Sequence, residues 1–461
     1  MGCIPIRYNP LSPYPNLTGV TSVRSISPDR TLSTEDNQRT HDAYASLRAP
    51  NFRLLIATNA LTAFAHAVLS VLIGWEIYER THSPFQLGLV GLVQIVPNLI
   101  LAIPAGHVVD RHDPKRIAVA SIAIEVVAAS AIAIAAAARW PLVVIFLALA
   151  LIGIGRAIRS PTNGPIMSGV VTHELFENAS AWNGGVDHLA AIVGPAVGGL
   201  AVAAIDDTAP IFAVSAVLLA LGAISLARVR LRERVRATDD LSRESVLAGA
   251  RFIRQTPIML AAISLDMFAV LLGGATALLP IFADDILHVG AGGLGVMRAA
   301  PAAGALLTSL AVAHKGAFQR AGRSLLLTVA GFGITTLVFG LSRWFPLSVA
   351  ALCLIGGFDA ISMIVRDTLE LRFTPDAMRG RVAAIHFLFI GMSNEFGEFE
   401  SGLAASLIGA SAAVAVGGIG TIAVVIGVSL LAPELRRLGR IEPDTDAISL
   451  VASDMAESPV G

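Results

Sequence analysis

Several charged side chains stand alone inside long apolar stretches of this 461-residue chain. A charge at bilayer depth is costly unless it faces a partner or a water-filled cavity, so such residues are candidates for ligand binding or proton transfer. The candidate cavity residues are Arg156, Asp187, Asp266, Asp359, Glu395 and Glu398.

Glu395 has the most specific predicted chemistry, because it lies near the middle of the apolar segment 382–407. Removal from water disfavours an ionised carboxylate, so a buried glutamate can take up a proton near neutral pH. The opposite charge of Arg156 would favour release of that proton. We therefore predict that Glu395 carries protons, with Glu398 one turn further along. The alternative is a hydrogen-bonded packing acid.

Other polar residues in apolar stretches fit structural roles. Arg366 and Glu370 are four residues apart on one helix face, which predicts an ion pair between them. His66 is interpreted as a core histidine, and Glu125 as a residue that pairs with a neighbour.

The candidate residues lie on elements that must cross a membrane. Hydrophobic residues make up 54% of the chain and charged residues 15%, against roughly 25% charged residues in soluble proteins. A spanning helix needs about 20 mainly apolar residues. The sequence predicts an all-α polytopic membrane protein with twelve such helices, at residues 52–78, 84–109, 117–138, 141–164, 175–205, 210–229, 258–283, 290–313, 325–341, 347–371, 382–407 and 412–431.

The twelve segments divide into two halves of about equal length. We predict six-helix bundles at residues 51–229 and 258–433, joined by a charged linker at 230–257. Residues 1–50 are polar and rich in Pro, Ser, Thr and Asn, which predicts a disordered tail. Residues 434–461 form a second polar tail.

Basic residues mark one side of the predicted bundle. An even number of helices places both tails on that side, and its turns hold most of the arginines and lysines. Cytoplasmic loops of membrane proteins carry such an excess. We therefore predict a multi-pass protein of the bacterial inner membrane with both termini in the cytoplasm.

The turn after the second helix has spacing that charge alone does not explain. Gly106 would let the helix end approach a neighbour, and Asp110 could accept hydrogen bonds from the start of another helix. We predict that Asp110 meets the start of the eleventh helix near Gly380 in one conformation of the protein. The alternative is an ordinary basic turn. The candidate conformational gate consists of Gly106, Asp110, Arg111, Lys115 and Arg116.

A second motif, Gly194-Pro195-Ala196-Val197-Gly198-Gly199, lies in the fifth predicted helix. Pro195 removes a backbone hydrogen bond and bends the helix. Gly194, Gly198 and Gly199 allow a facing helix to approach closely. The alternative is a kinked, tightly packed helix with no further role.

These motifs together resemble those of the major facilitator superfamily. Its members carry Gly-x-x-x-Asp-Arg and then basic residues between the second and third helices, as Gly106, Asp110 and Arg111 do here. Asp113 stands where the family has a second glycine. The position of Arg156 resembles that of the family's fourth-helix arginine, which is linked to proton coupling.

Two further likenesses narrow the resemblance. The motif at 194–199 is similar to the antiporter-type motif that is typical of exporters. Segments 374–382, 393–402 and 433–437 are similar to those of enterobactin-exporter-like facilitators and related bacterial multidrug pumps.

The resemblance implies a secondary active transporter in which two six-helix bundles give alternating access to a central cavity. It implies proton-coupled export of a siderophore, a drug or another small amphipathic molecule by a monomer. The expected partners are the cargo, protons and the lipid bilayer, with no nucleic acid. The sequence has no Gly-rich Lys-Ser/Thr loop for a nucleotide, so we expect no cofactor and the proton gradient as the energy source.

Two alternatives remain: an importer of the same fold, and a transport-inactive membrane sensor or partner protein. An intramembrane enzyme is a third class, and we predict that the protein is not an enzyme. The antiporter-type motif argues against import. The buried charges argue against an inactive sensor, because they cost stability without a role. Thr172-His173-Glu174 lacks the second histidine of a zinc protease, which argues against a metalloprotease.

Overall fold

The computed structural model describes residues 42–232, 243–315, 320–375 and 378–439, and the described chain is helical with no strand. Most of the predicted tail 1–50, residues 233–242 of the linker and residues 440–461 lie outside these ranges. The prediction of an all-α membrane protein with twelve spanning helices in two bundles is confirmed.

Twelve long helices make up the two halves of the chain. They are α1 Pro50–Thr81, α2 Pro84–Arg111, α3 Pro114–Ala137, α4 Leu142–Arg159, α5 Phe176–Ile205 and α6 Ala209–Arg228 in the first half, and α7 Pro257–Leu272, α8 Gly290–Lys315, α9 Ala321–Leu341, α10 Phe345–Phe373, α11 Arg379–Ile408 and α12 Ala410–Leu431 in the second. Eleven of these spans are long and apolar enough to cross a bilayer. The 30-residue α11 is more polar, because it carries Glu395, Glu398 and Glu400.

Short helical pieces extend two of the spans. A 3-10 turn and the helix Asn163–Val170 follow α4. Irregular turns continue α7 as far as Ile286 and end in a π-helix, Phe282–Ile286. The linker contains a helix, Arg243–Gln255, which packs on the start of α11. Proline in the first turn begins α1, α2, α3, α6, α7 and α10, where its missing N–H has no helical partner to lose.

Helix packing in the second half repeats that in the first with a shift of six helices. In the first half, α1 packs on α5 and α6, α4 packs on α2 and α3, and α3 packs on α6. The matching pairs in the second half are α7 with α11 and α12, α10 with α8 and α9, and α9 with α12. Two pairs join the halves, α2 with α11 and α5 with α8, and they too correspond under this shift. The fold is therefore a structural repeat with one interface between its halves.

The two ends of the bundle differ in charge and in packing. We call the end that carries the α2–α3 turn, the linker helix and the start of α11 the basic end, and the other the opposite end. The glycine contacts between the halves, at residues 74, 88, 91, 199, 292, 295 and 402, lie in the helix portions nearest the opposite end. Towards the basic end, a Cβ built on Gly106, Gly380 or Gly391 would meet no described atom within 4 Å. The halves therefore close at the opposite end and part at the basic end.

Candidate functional site

A cavity of about 140 Å³ lies between the two halves near mid-bundle. Its charged and polar lining comes from five helices, and Leu69, Ile73, Val90 and Ile152 complete the wall. The polar lining residues are His66 and Ser70 of α1, Gln94 of α2, Arg156 of α4, Arg298 of α8, and Glu395 and Glu398 of α11. We call this space the central cavity.

Two arginines face the two glutamates in the central cavity. On the first-half side, Arg156 Nη1 donates to Gln94 Oε1 over 3.4 Å. On the second-half side, Arg298 Nη1 donates to the Thr276 carbonyl over 2.9 Å. Each guanidinium is thus held by a neutral acceptor, which leaves its charge available to Glu395, Glu398 or an anionic ligand.

The glutamates are positioned by a close contact between α2 and α11. A Cβ on Gly91 of α2 would lie 2.8 Å from the Glu395 carbonyl oxygen and 3.0 Å from the Glu398 Cβ. Only a glycine allows α2 to approach the glutamate-bearing turn so closely. The contact places Glu395, the predicted proton carrier, at the interface between the two halves.

The structure brings together three of the six predicted cavity residues: Arg156, Glu395 and Glu398. Asp187 lies instead in a pocket of about 180 Å³ inside the first half, where it accepts from Asn183 Nδ2 over 3.4 Å. Asp266 is buried within the second half. Asp359 of α10 is half-buried and does not line the central cavity.

Asp266 forms a buried ion pair with Arg366, which joins α7 to α10. The predicted pair of Arg366 with Glu370 is therefore wrong. Glu370 bonds instead to His386 Nδ1 of α11, over 2.6 Å. The partners of Arg366 and Glu370 lie on two other helices, α7 and α11, so the spacing along α10 does not predict them. Both pairs tie helices of the second half together.

The contact predicted between Asp110 of the candidate gate and the start of α11 is absent from the described part of the chain. Asp110 is exposed and forms no hydrogen bond or ion pair within the described residues. The close approach predicted at Gly106 is not made here, because the halves part at the basic end. Asp113 caps α3 by accepting from the Lys115 N–H over 2.9 Å, so it begins a helix where the family has glycine.

Lys115 and Arg116 have local partners at the start of α3. Lys115 Nζ donates to the carbonyls of Ala227 and Val229 at the end of α6, over 3.2 and 3.0 Å. Arg116 pairs loosely with Asp113 at 3.5 Å. These contacts fix the α2–α3 turn to the first half.

The glycines of the 194–199 motif divide between two contacts. A Cβ on Gly194 would clash with Ala67 of α1, and one on Gly198 would touch Val68. Gly199 faces the other half, where its Cβ would lie 2.7 Å from the Gly295 Cα of α8. The motif therefore packs α5 onto its own half and onto the second half at once.

Arg298 and Gln94 line the cavity but do not appear among the predicted site residues. Arg298 carries the same sequence signal as Arg156, a single charge within an apolar span, and could have been found in that way. Gln94 is uncharged, so its burial carries no comparable signal.

Comparison with known proteins agrees with this architecture. A sequence model of the Major Facilitator Superfamily matches residues 55–398. The chain is similar to macrolide efflux protein A of Streptococcus pyogenes, with 25% identity over 78% of this chain and 90% of that protein. It is also similar to the enterobactin exporter EntS of Citrobacter koseri, with 24% identity over 87% of this chain and 96% of that one.

The fold is similar to that of a bacterial homologue of the human lysosomal transporter Spinster, solved in an inward-facing, unoccupied conformation. The TM-score is 0.62 at 14% identity, over 84% of this chain and 96% of that one. At this identity the likeness concerns the fold alone.

Proposed function

The chain belongs to the Major Facilitator Superfamily, and we propose that it exports a small amphipathic molecule in exchange for protons. It is a multi-pass membrane transporter and not an enzyme. Two of its relatives are efflux proteins, for a macrolide and for the siderophore enterobactin, which supports export and this class of cargo.

One observation carries the proposal: two carboxylates and two guanidiniums from both halves share the central cavity. Glu395 and Glu398 lie on α11, Arg156 and Arg298 on α4 and α8. A proton on Glu395 removes one negative charge from this set and changes the attraction between the halves. Proton binding thereby has different free energy in the two access states, which coupling requires.

The cavity wall suits an amphipathic cargo, because Leu69, Ile73, Val90 and Ile152 lie beside the charged groups. In the proposed cycle, cargo enters from the basic end while the opposite end is closed. The halves then rock, the opposite end opens, and cargo leaves as Glu395 takes up a proton. Proton release at the basic end resets the carrier.

The basic end faces the cytoplasm in this proposal, since positive charge gathers on the cytoplasmic side of membrane proteins. The protein then lies in the bacterial inner membrane with both termini inside, and works as a monomer because the cavity is built from one chain. The proton gradient supplies the energy, without a cofactor.

Everted membrane vesicles test this proposal. Respiration acidifies their lumen, and a fluorescent base reports loss of the gradient when erythromycin or enterobactin is added. We expect cargo-induced proton efflux with wild-type protein and about one tenth of it with Glu395→Gln at equal membrane abundance. Proton movement in the same direction as cargo would instead identify an importer. Cargo binding to purified protein without any coupled flux would identify a transport-inactive sensor.

A further inference from the structure

Another buried carboxylate, Glu125 of α3, lies within the first half. Its side chain is 0% exposed. His66 Nε2 of α1 is 2.9 Å from one carboxylate oxygen, and Arg159 Nε of α4 is 3.5 Å from the other. A Cβ on Gly155 of α4 would lie 2.7 Å from the Glu125 Cγ, so α4 presses directly on this side chain.

The two partners of Glu125 open onto different spaces. His66 lines the central cavity together with Glu395 and Glu398. Arg159 lines the first-half pocket of about 180 Å³ that also holds Asp187. Glu125 therefore lies between two cavities. It is connected to the central cavity through His66 and to the first-half pocket through Arg159, and its own carboxylate oxygens are not exposed to water.

We propose that His66 and Glu125 form a second protonation site, which faces Glu395 and Glu398 across the central cavity. Its participation in the transport cycle rests on the proton-coupled export proposed above. Its existence as a site that exchanges protons with the cavity does not.

The chemistry follows from which groups can donate. An ionised carboxylate only accepts hydrogen bonds, so His66 Nε2 carries the hydrogen that Glu125 accepts. The ring's other nitrogen, Nδ1, has no hydrogen-bond partner among the described residues. A cavity water can deliver a proton to Nδ1, and the imidazolium formed stays bonded to Glu125. The cluster of His66, Glu125 and Arg159 thereby gains one positive charge.

Charged groups of four helices act on this site. The charged groups around His66 and Glu125 are Arg156 and Arg159 on α4, Asp187 on α5, Arg298 on α8, and Glu395 and Glu398 on α11. Arg159 and Arg156 oppose a positive charge on His66, whereas Glu125 and the two α11 carboxylates favour it. Each protonation adds one positive charge to the central cavity. On His66 it strengthens the attraction of the first half for the α11 carboxylates, whereas on Glu395 it weakens that attraction.

The second half contains a matched pair that tests the role of position. His386 and Glu370 are bonded over 2.6 Å, but their side chains are only 8% and 15% exposed and neither lines the central cavity. The pair is also a histidine bonded to a glutamate, but it does not line the central cavity. His386 is the internal control for His66.

Nitrogen NMR of histidine-labelled protein in lipid nanodiscs tests the site without any cargo. Loss of one signal in His66→Gln assigns the His66 ring. With wild-type protein we expect a single neutral form with hydrogen on Nε2 at high pH and an imidazolium at low pH. Glu125→Gln should convert the high-pH form to a mixture of the two neutral tautomers and leave the His386 signal unchanged.

Two results would overturn the proposal: a His66 ring that keeps one protonation state wherever the protein stays folded, or identical His66 spectra in wild type and Glu125→Gln. If Glu125→Gln fails to fold, proton counting on a pH jump replaces it. His66→Gln should then bind one proton fewer per protein than wild type, and an equal count contradicts the site.

The vesicle assay separates this inference from the proposed function. A lower proton-to-cargo ratio in His66→Gln, with erythromycin as cargo, supports participation in transport, whereas an unchanged ratio rejects it. If wild-type protein shows no coupled flux, the export proposal fails, and the NMR result still decides whether His66 and Glu125 form a protonation site.

Discussion

Gly199 of α5 and Gly295 of α8 meet across the two halves of the transporter. A Cβ built on Gly295 would lie 3.0 Å from the Gly199 Cα, and one built on Gly199 would lie 2.7 Å from the Gly295 Cα. Neither distance admits a methyl group without movement of backbone. The close packing at the opposite end therefore requires glycine at both positions.

Gly199→Ala should push α5 and α8 apart and favour opening of the opposite end. Overpacking of this kind costs about 1–3 kcal/mol in the state that contains the contact. Nitroxide labels on Asp207→Cys and His288→Cys, with Cys3 and Cys353 replaced by serine, report this through pulsed electron resonance. We expect Gly199→Ala to show a larger share of long distances between the two nitroxides than the labelled protein that keeps Gly199.

Gly198→Ala is the matched control, because its Cβ would meet Val68 Cγ1 at an ordinary 3.4 Å. It lies next to Gly199 in the same motif but faces its own half. Equal distance distributions for the two variants would show that the motif acts only through helix packing in general.

Tyr78→Phe should weaken the same closed end by a different contact. The Tyr78 hydroxyl at the end of α1 donates to Asp285 of the π-helix in the other half. Loss of one such bond costs about 1 kcal/mol, roughly a fivefold change in the ratio of the two states. The label pair described above measures it, with Asp284→Asn as the control. A further shift on adding Asp285→Asn to Tyr78→Phe would contradict a direct pairing.

Glu395→Gln should separate cargo exchange from proton-driven export. The amide keeps the shape of the side chain but takes up no proton. We expect gradient-driven efflux to fall about tenfold, the scale of a coupling free energy between two sites, while exchange at equilibrium persists. Efflux and counterflow of labelled erythromycin measure the two activities. Glu400→Gln, on the same helix outside the cavity lining, is the control, and a loss of both activities in Glu395→Gln would point to cargo binding instead.

The sequence predicts the spanning helices well, because the features that set each helix lie within its own segment. Apolar length sets each span, and proline marks the first turn at Pro50, Pro84, Pro114 and Pro257. The predicted segment 325–341 begins four residues late, since Arg323 and Ser324 are polar residues inside the first turn of α9.

Partners between helices could not be derived in the same way. Arg366 and Asp266 are joined only when α7 packs beside α10, and the spacing on α10 favoured Glu370 instead. Asp187 and Glu395 carry similar sequence signals, yet they lie in different cavities because α5 and α11 present them at different depths and in different halves. Which residues share a cavity depends on how the helices pack, and a single sequence does not show that packing.

Arg366→Met should destabilise the fold strongly. It leaves Asp266 buried without its partner, which costs about 3–5 kcal/mol. Thermal unfolding of detergent-purified protein measures the loss, and Arg366→Met with Asp266→Leu should recover most of it. Arg116→Met removes an exposed partner of Asp113 and should cost less than about 1 kcal/mol. A double variant as unstable as the single one would show that Arg366 acts through packing alone.

Asp110→Asn should slow transport without changing the stability of the state described here. Asp110 is exposed and has no partner among the residues that the structure describes, so a change there should alter stability by no more than about 0.5 kcal/mol. The residue can act only in the state in which the basic end closes, where it would meet the start of α11 near Gly380. Initial efflux rates and thermal unfolding measure the two effects. Asp113→Ala is the contrasting variant, because loss of the α3 cap should lower stability by about 1 kcal/mol and leave the closing contact intact. An unchanged rate in Asp110→Asn would reduce the 106–116 turn to a signal for membrane topology.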